Sequence, residues 1–352
     1  MAELEKTALV PELPPPEKVM TWLLQDEQPV QTLPEYIEPP LSETLAKLQT
    51  QLCTVGNPRL QRRAAQSLAA LGVVAADALI YALHQNDETC QVLAAYALRK
   101  LGREVTGTLL PLIETCPTLT RQRLLWVLYT ADEPHVAEAL ITCMSDSDRK
   151  IRRYAAWGLG HLKDTHAIPY LVEALNDPTE KIRFDAAMAL VKIGGEAVDA
   201  LLEALYTGNA RVRSQVVSVL AWLQDDEALD ALTDALHDIN PQVRGQAALA
   251  LGWMGKHSAV NALVGALYDS EATVRMQAAV SLGWIGDSRA VDGLLDLLSD
   301  KDDWVPYSAA DALGHLGDIR AITPLRLASH GRSKFVREAA QNALHQLGYF
   351  DN

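Results

Sequence analysis

A repeat of 30 or 31 residues constrains this chain more than any other feature. Four stretches show it: IRRYAAWGLGHLKDTHAIPYLVEAL from Ile151, IRFDAAMALVKIGGEAVDALLEAL from Ile182, VRGQAALALGWMGKHSAVNALVGAL from Val243 and VRMQAAVSLGWIGDSRAVDGLLDLL from Val274. The Arg after the first apolar residue anchors the register. The anchors are Gln61, Gln91, Arg121, Arg152, Arg183, Arg213, Arg244, Arg275, Pro306 and Arg337. A chain of 352 residues is long for a single core. An array escapes that limit because each unit packs only on its neighbours.

Each unit reads as two helices. Counting from the anchor, small apolar residues fall at +3 and +4, Leu at +7, and Leu, Ile or Met at +10. These offsets share one helical face. Gly follows at +11 in Gly102, Gly194, Gly255, Gly286, Gly317 and Gly348, and Gly72 also fits. A left-handed cap is expected there. A second amphipathic stretch follows, such as AIPYLVEAL, and forms the first helix of the next unit. Asp177, Asp238, Asp269 and Asp300 then open the turn before the next anchor, a role Asp favours. The anchor Arg is expected to be structural, bonding carbonyls or the turn Asp of an adjacent unit. Pro306 forgoes those contacts but is tolerated in a first helical turn.

The expected fold is therefore an all-α, right-handed solenoid of about ten short helical hairpins over residues 43–352. Residues 1–42 read as a Pro-rich, acidic arm, and its apolar run VMTWLLQ from Val19 has the composition of a short helix. The N-terminus lacks the basic and apolar regions of a secretory signal. No apolar run approaches the roughly 20 residues of a membrane span. The four Cys form no C-x-x-C pair and no disulfide framework. A reducing, cytoplasmic setting is the simplest expectation. The net charge of −14 opposes nucleic acid and anionic membranes as partners.

The outward face of the second helices carries the functional signal. Position +9 reads His161, Lys192, Trp222, Trp253, Trp284 and His315 from the fourth unit to the ninth. Position +5 adds Trp126, Trp157, Met188 and Asp311, and position +2 adds Arg123 and Tyr154. In arrays of this kind the second helices line the concave surface. Trp126, Tyr154, Trp157, His161, Met188, Trp222, Trp253, Trp284, Asp311 and His315 are thus the candidate binding residues. Exposed apolar surface and Trp anchors mark interfaces. No catalytic residue and no metal site is expected. Phosphate-binding, nucleophile-elbow and H-E-x-x-H motifs are absent. The paired His-Glu dipeptides of the helical-repeat enzyme deoxyhypusine hydroxylase are absent too. Cys90 and Cys116 fall in inter-helix turns, where accessibility is expected.

The pattern D-x-x-x-x-[VI]-R-x-x-A-A-x-x-L-G-x-[IL]-G, clearest from Arg152 to Leu298, resembles the PBS-lyase HEAT-like repeat of E/F-type phycobilin lyases and related cyanobacterial phycobilisome proteins. The resemblance covers about residues 44–348. It implies a solenoid that cradles a linear tetrapyrrole and presents it to a phycobiliprotein cysteine, with Asp311 facing pyrrole nitrogens and the aromatic rings stacking. Two functions follow as expectations. One is a non-enzymatic scaffold or assembly factor with no cofactor, holding a protein partner, such as a phycobiliprotein subunit, in its groove. The alternative is a bilin lyase or bilin-binding chaperone using the same groove.

Overall fold

The computed structural model describes residues 41–129, 131 and 133–349. Among the described residues the regular elements are all helices, in ten pairs from Leu41–Leu52 with Pro58–Leu71 to Ile322–Ala328 with Lys334–Gln346. The chain from Leu45 onward is one compact all-α solenoid. The arm expected over 1–42 lies outside the described residues, except that Leu41 and Ser42 begin the helix Leu41–Leu52.

The repeat produces this order locally. Second helices such as Pro241–Met254 bury Ala247, Ala248 and Leu251 completely, which is the +3/+4/+7 face. The +11 position has positive φ in unit after unit, at Gly255, Gly286 and Gly317 in the left-handed helical region. Lys163 and Gln224 take that conformation where Gly is missing. Gly72, Gly102 and Gly194 differ from the expected cap. Their φ is positive, but ψ lies between −131° and −152°, a region open essentially only to Gly. At Asp164, Asp225, Asp287 and Asp318 an Asp then caps a short 3₁₀ turn into the first helix, as Asp287 does by accepting from the Arg289 N–H.

Units are tied by a ladder of ion pairs. Arg152 reaches Asp177 at 2.8 Å, Arg213 reaches Asp238 at 2.6 Å, Arg244 reaches Asp269 at 2.6 Å and Arg275 reaches Asp300 at 2.7 Å. Arg244 also donates Nη1 to the Asp238 carbonyl of its own turn. Asp269 in turn accepts from the Glu271 N–H. Each Asp thus shapes its own turn and holds the preceding Arg. Burial raises the carboxyls of Asp177, Asp238, Asp269 and Asp300, but the Arg and backbone hydrogen bonds outweigh it and hold all four below the ordinary carboxylate range. The ladder breaks at two seams. Gly208 stands where Arg183 would find its Asp, and Pro306 and Gly331 replace both partners together. Pro306 is buried as the third residue of the helix Trp304–Leu316, so the segment DKDDWVPY is a turn followed at once by helix.

Second helices meet through +8 of one unit and +6 of the next. A Cβ at Gly160 would lie 2.6 Å from Ala189 Cα, and one at Gly314 would lie 2.9 Å from Ala343 Cα. In the first-helix layer Gly293 faces a side chain instead, Leu267 Cδ1. At these +8 glycines the second helices meet backbone to backbone.

The stretch Pro58–Leu83 has the length and composition of a membrane span, contrary to the expectation that no run comes close. It is not one helix, because the chain turns at Gly72 between Pro58–Leu71 and Ala76–Leu83. Cys90 and Cys116 are buried rather than accessible. Cys90 packs with its Sγ 3.5 Å from that of Cys53, and burial drives its thiol pKa far upward. Cys143 is pushed up to about 11, chiefly by burial, so these thiols lack thiolate character.

Candidate functional site

The second-helix face divides into parts with different environments. Trp222, Trp253 and Trp284 are 41%, 61% and 57% exposed, on three consecutive units. They sit one residue before the end of Ala210–Leu223, Pro241–Met254 and Ala272–Ile285. The +8 residues one unit before them are Val191, Ala221 and Gly252, which are too short to lie across the indoles. Phe184, exposed on Glu180–Ile193, meets Trp222 edge-on with ring centroids 6.4 Å apart.

The N-terminal candidates stand differently. Trp126, expected on the open face, is buried at 8% exposure, with the Arg99 guanidinium 4.7 Å above its ring. Arg99 is the +8 residue of the preceding unit, the position of Gly160, Gly252, Gly283 and Gly314 in later units. Its side chain cannot fit between the helices and lies across Trp126 instead. Tyr129 holds +8 in the next unit and packs on Trp157 at 4.4 Å and on His161 at 5.3 Å. Trp157 is consequently half-buried, as are Tyr154 and Met188, while His161 stays exposed. Arg123 of the +2 column is buried, donating to Gln91 Oε1 at 3.2 Å. Burial, opposed by the Glu88 charge, lowers its pKa. Asp311 and His315 are exposed and 3.6 Å apart on one helix.

A second aromatic group lies at the other end of these helices. Trp304 stacks on Phe335 at 5.7 Å with planes 22° apart and meets Tyr307 edge-on at 5.9 Å. All three are exposed. Trp304 and Phe335 occupy −2, two residues before the anchor. At 100° per residue, −2 falls within about 20° of +9, three turns away. That arithmetic places them on the outward face from the sequence alone, but a register counted forward from the anchor leaves the column out.

The −2 column reads Lys150, Lys181, Arg211, Gln242, Thr273, Trp304 and Phe335, and every member is exposed. Among the described residues no group of three or more His, Cys, Asp or Glu is placed to hold a metal ion. The arrangement offers stacking, apolar contact and charge.

HEAT repeats match residues 137–211, 198–283 and 266–345. No curated protein matches the chain. Among solved structures, Kap121p bound to Nup53p aligns with 91% of this chain and 42% of its own length, at TM-score 0.67 and 14% identity. Kap121p bound to the extreme C-terminus of the protein phosphatase Cdc14p aligns with 91% and 43%, at TM-score 0.63 and 14% identity. The chain thus spans less than half the length of that karyopherin. The complex of CpcE and CpcF of phycocyanin lyase from Nostoc matches 42% of this chain and 99% of its own, at 28% identity and TM-score 0.40.

Proposed function

The chain belongs to the HEAT-repeat family, and we propose that it is a non-enzymatic scaffold or assembly factor holding a protein partner against its second-helix face. One observation carries this reading: Trp222, Trp253 and Trp284 are all exposed on consecutive units. Contiguous apolar surface of this kind marks interaction sites, and Trp is a typical anchor. Neighbouring helices stand about 8–10 Å apart, so the row runs on the order of 20 Å, enough for an extended or helical segment. The fold likeness supports the reading, since Kap121p is seen bound to Nup53p and to the Cdc14p C-terminus.

The test is co-purification of the tagged full chain from its native cells, beside the Trp253→Ala/Trp284→Ala variant. A specific protein should be recovered with the wild type at tenfold or more above the variant, with equal melting temperatures. Equal recovery by both chains would overturn the reading.

A second reading keeps the face and changes the occupant to a linear tetrapyrrole. The repeat motif supports it, as does an exposed Asp311 beside His315 on the same face. Added phycocyanobilin should then give a shifted visible band with the wild type and not with the double variant. No band would remove this reading and leave the scaffold.

A further inference from the structure

Charge is sorted by layer in the middle of the solenoid. The second helix Arg149–Leu162 carries Arg149, Lys150, Arg152 and Arg153 and no carboxylate. Glu180–Ile193 carries Lys181, Arg183 and Lys192 against Glu180 and Asp185, and Ala210–Leu223 carries Arg211 and Arg213 alone. The intervening first helices are the reverse. Pro134–Cys143, Ile168–Ala174, Val198–Thr207 and Leu229–Asp234 contain no Lys or Arg and hold Glu138, Glu173, Asp199, Glu203, Asp230 and Asp234.

Part of the basic set is structural. Arg152 and Arg213 belong to the ladder, Arg183 bonds its own turn carbonyls, and Arg153 pairs with Asp185 at 2.8 Å. Lys150 and Arg211 at −2 and Lys192 at +9 are exposed on the outward face. In a chain of net charge −14 this is a local inversion of sign; Lys192 stands in the Trp column one unit before Trp222, and the −2 cations lie on the same layer three helical turns away.

From this we infer the class of partner: a protein segment with acidic residues followed by apolar or aromatic ones. The carboxylates face Lys150, Arg211 and Lys192, and the apolar part lies on Trp222, Trp253 and Trp284. The inference rests on the scaffold reading above and narrows it. At about 10 Å per unit, the distance from the fourth unit to the eighth is about 40 Å, or about 12 extended residues. A long polyanion such as nucleic acid fits less well, because the basic patch covers three units only and continues into indoles, while the whole molecule repels it. The patch steers and orients the acidic end, and the Trp row supplies the buried contact.

The probe is a fluorescein-labelled peptide of six alternating Glu and Asp followed by six alternating Leu and Phe. Its control carries Gln and Asn in place of the acids. Fluorescence anisotropy is measured against the full chain at two salt concentrations, with an oligo(U) RNA of 12 nucleotides as a further probe. The acidic peptide should bind at least tenfold more tightly than the control and weaken with salt. Lys150→Glu/Lys192→Glu/Arg211→Glu should remove that advantage, and the milder Lys150→Gln/Lys192→Gln/Arg211→Gln should reduce it. Thermal melts verify that both variants fold. Equal binding of both peptides, or an advantage untouched by charge reversal, overturns the inference. Tighter binding of the RNA, lost on charge reversal, overturns it too. A native partner lost with the Trp double variant but kept with the charge variants would sink this inference while the scaffold reading stands.

Discussion

In the units anchored on Arg121 and Arg152 the aromatic side chains of the second helices are packed, whereas in those anchored on Arg213, Arg244 and Arg275 they stand in solvent. Trp126 lies beneath Arg99, and Trp157 lies against Tyr129. Trp253 and Trp284 are more than half exposed. Two things differ: Trp126 and Trp157 stand at +5 and the three exposed Trp at +9, and a large +8 residue lies one unit upstream of Trp126 and Trp157. Arg99 and Tyr129 are too large to sit between helices and spread over the next unit. Val191, Ala221 and Gly252, one unit upstream of Trp222, Trp253 and Trp284, are smaller and leave the indoles uncovered. One helical face thus serves as packing at one end and as open surface at the other, according to the column an aromatic residue occupies and the size of the residue upstream of it.

The comparison breaks first on stability. Trp126→Ala should cost about 3–5 kcal/mol in urea or thermal unfolding, as removal of a buried Trp does. A cost near zero would show that Arg99 does not bury it. Next is the ladder, which runs unbroken through the exposed region. Arg244→Ala leaves Asp269 half-stranded and should cost about 2 kcal/mol. Arg183→Ala, which removes bonds to the Asp177 and Pro178 carbonyls, should cost about half that. The pH dependence follows from the same pairs. The folded pKa values of Asp177, Asp238, Asp269 and Asp300 are depressed. Their contribution is therefore present above the unfolded value, about 3.9, and is lost as pH falls through the folded values. Melting temperature should hold from pH 7 to about 5 and drop below about pH 4, less steeply in Arg244→Ala. A flat profile to pH 2 would remove the ladder from the stability argument.

Smaller effects sharpen the contrast. Arg99→Ala should cost about 1 kcal/mol, since an Arg over an aromatic ring contributes of that order, and should make Trp126 accessible to acrylamide quenching. Trp253→Ala and Trp284→Ala should each change stability by less than about 0.5 kcal/mol while removing quenchable emission. If either costs as much as Trp126→Ala, the two regions are alike.

Much of this was legible in the residues. The spacing of the anchors, the small residues at +3 and +4 and the Asp before each anchor are local features, and helix periodicity converts them into pairs of helices. Trp222, Trp253 and Trp284 fell on the outward face by the same periodicity. The burial of Trp126 was not legible, because it depends on where the Arg99 side chain goes once two helices meet. The −2 group Trp304, Tyr307 and Phe335 was within reach of the periodicity but lay before the anchor.

By itself, the sequence determined the solenoid, its register and the phase of each helix, since all three follow from contacts between residues close along the chain. Tertiary structure decided which aromatic residues are covered and how the cations of Arg149–Leu162, Glu180–Ile193 and Ala210–Leu223 gather in one layer. Both depend on side chains from units 30 residues apart. Their approach is set by the space between helices rather than by the helical repeat.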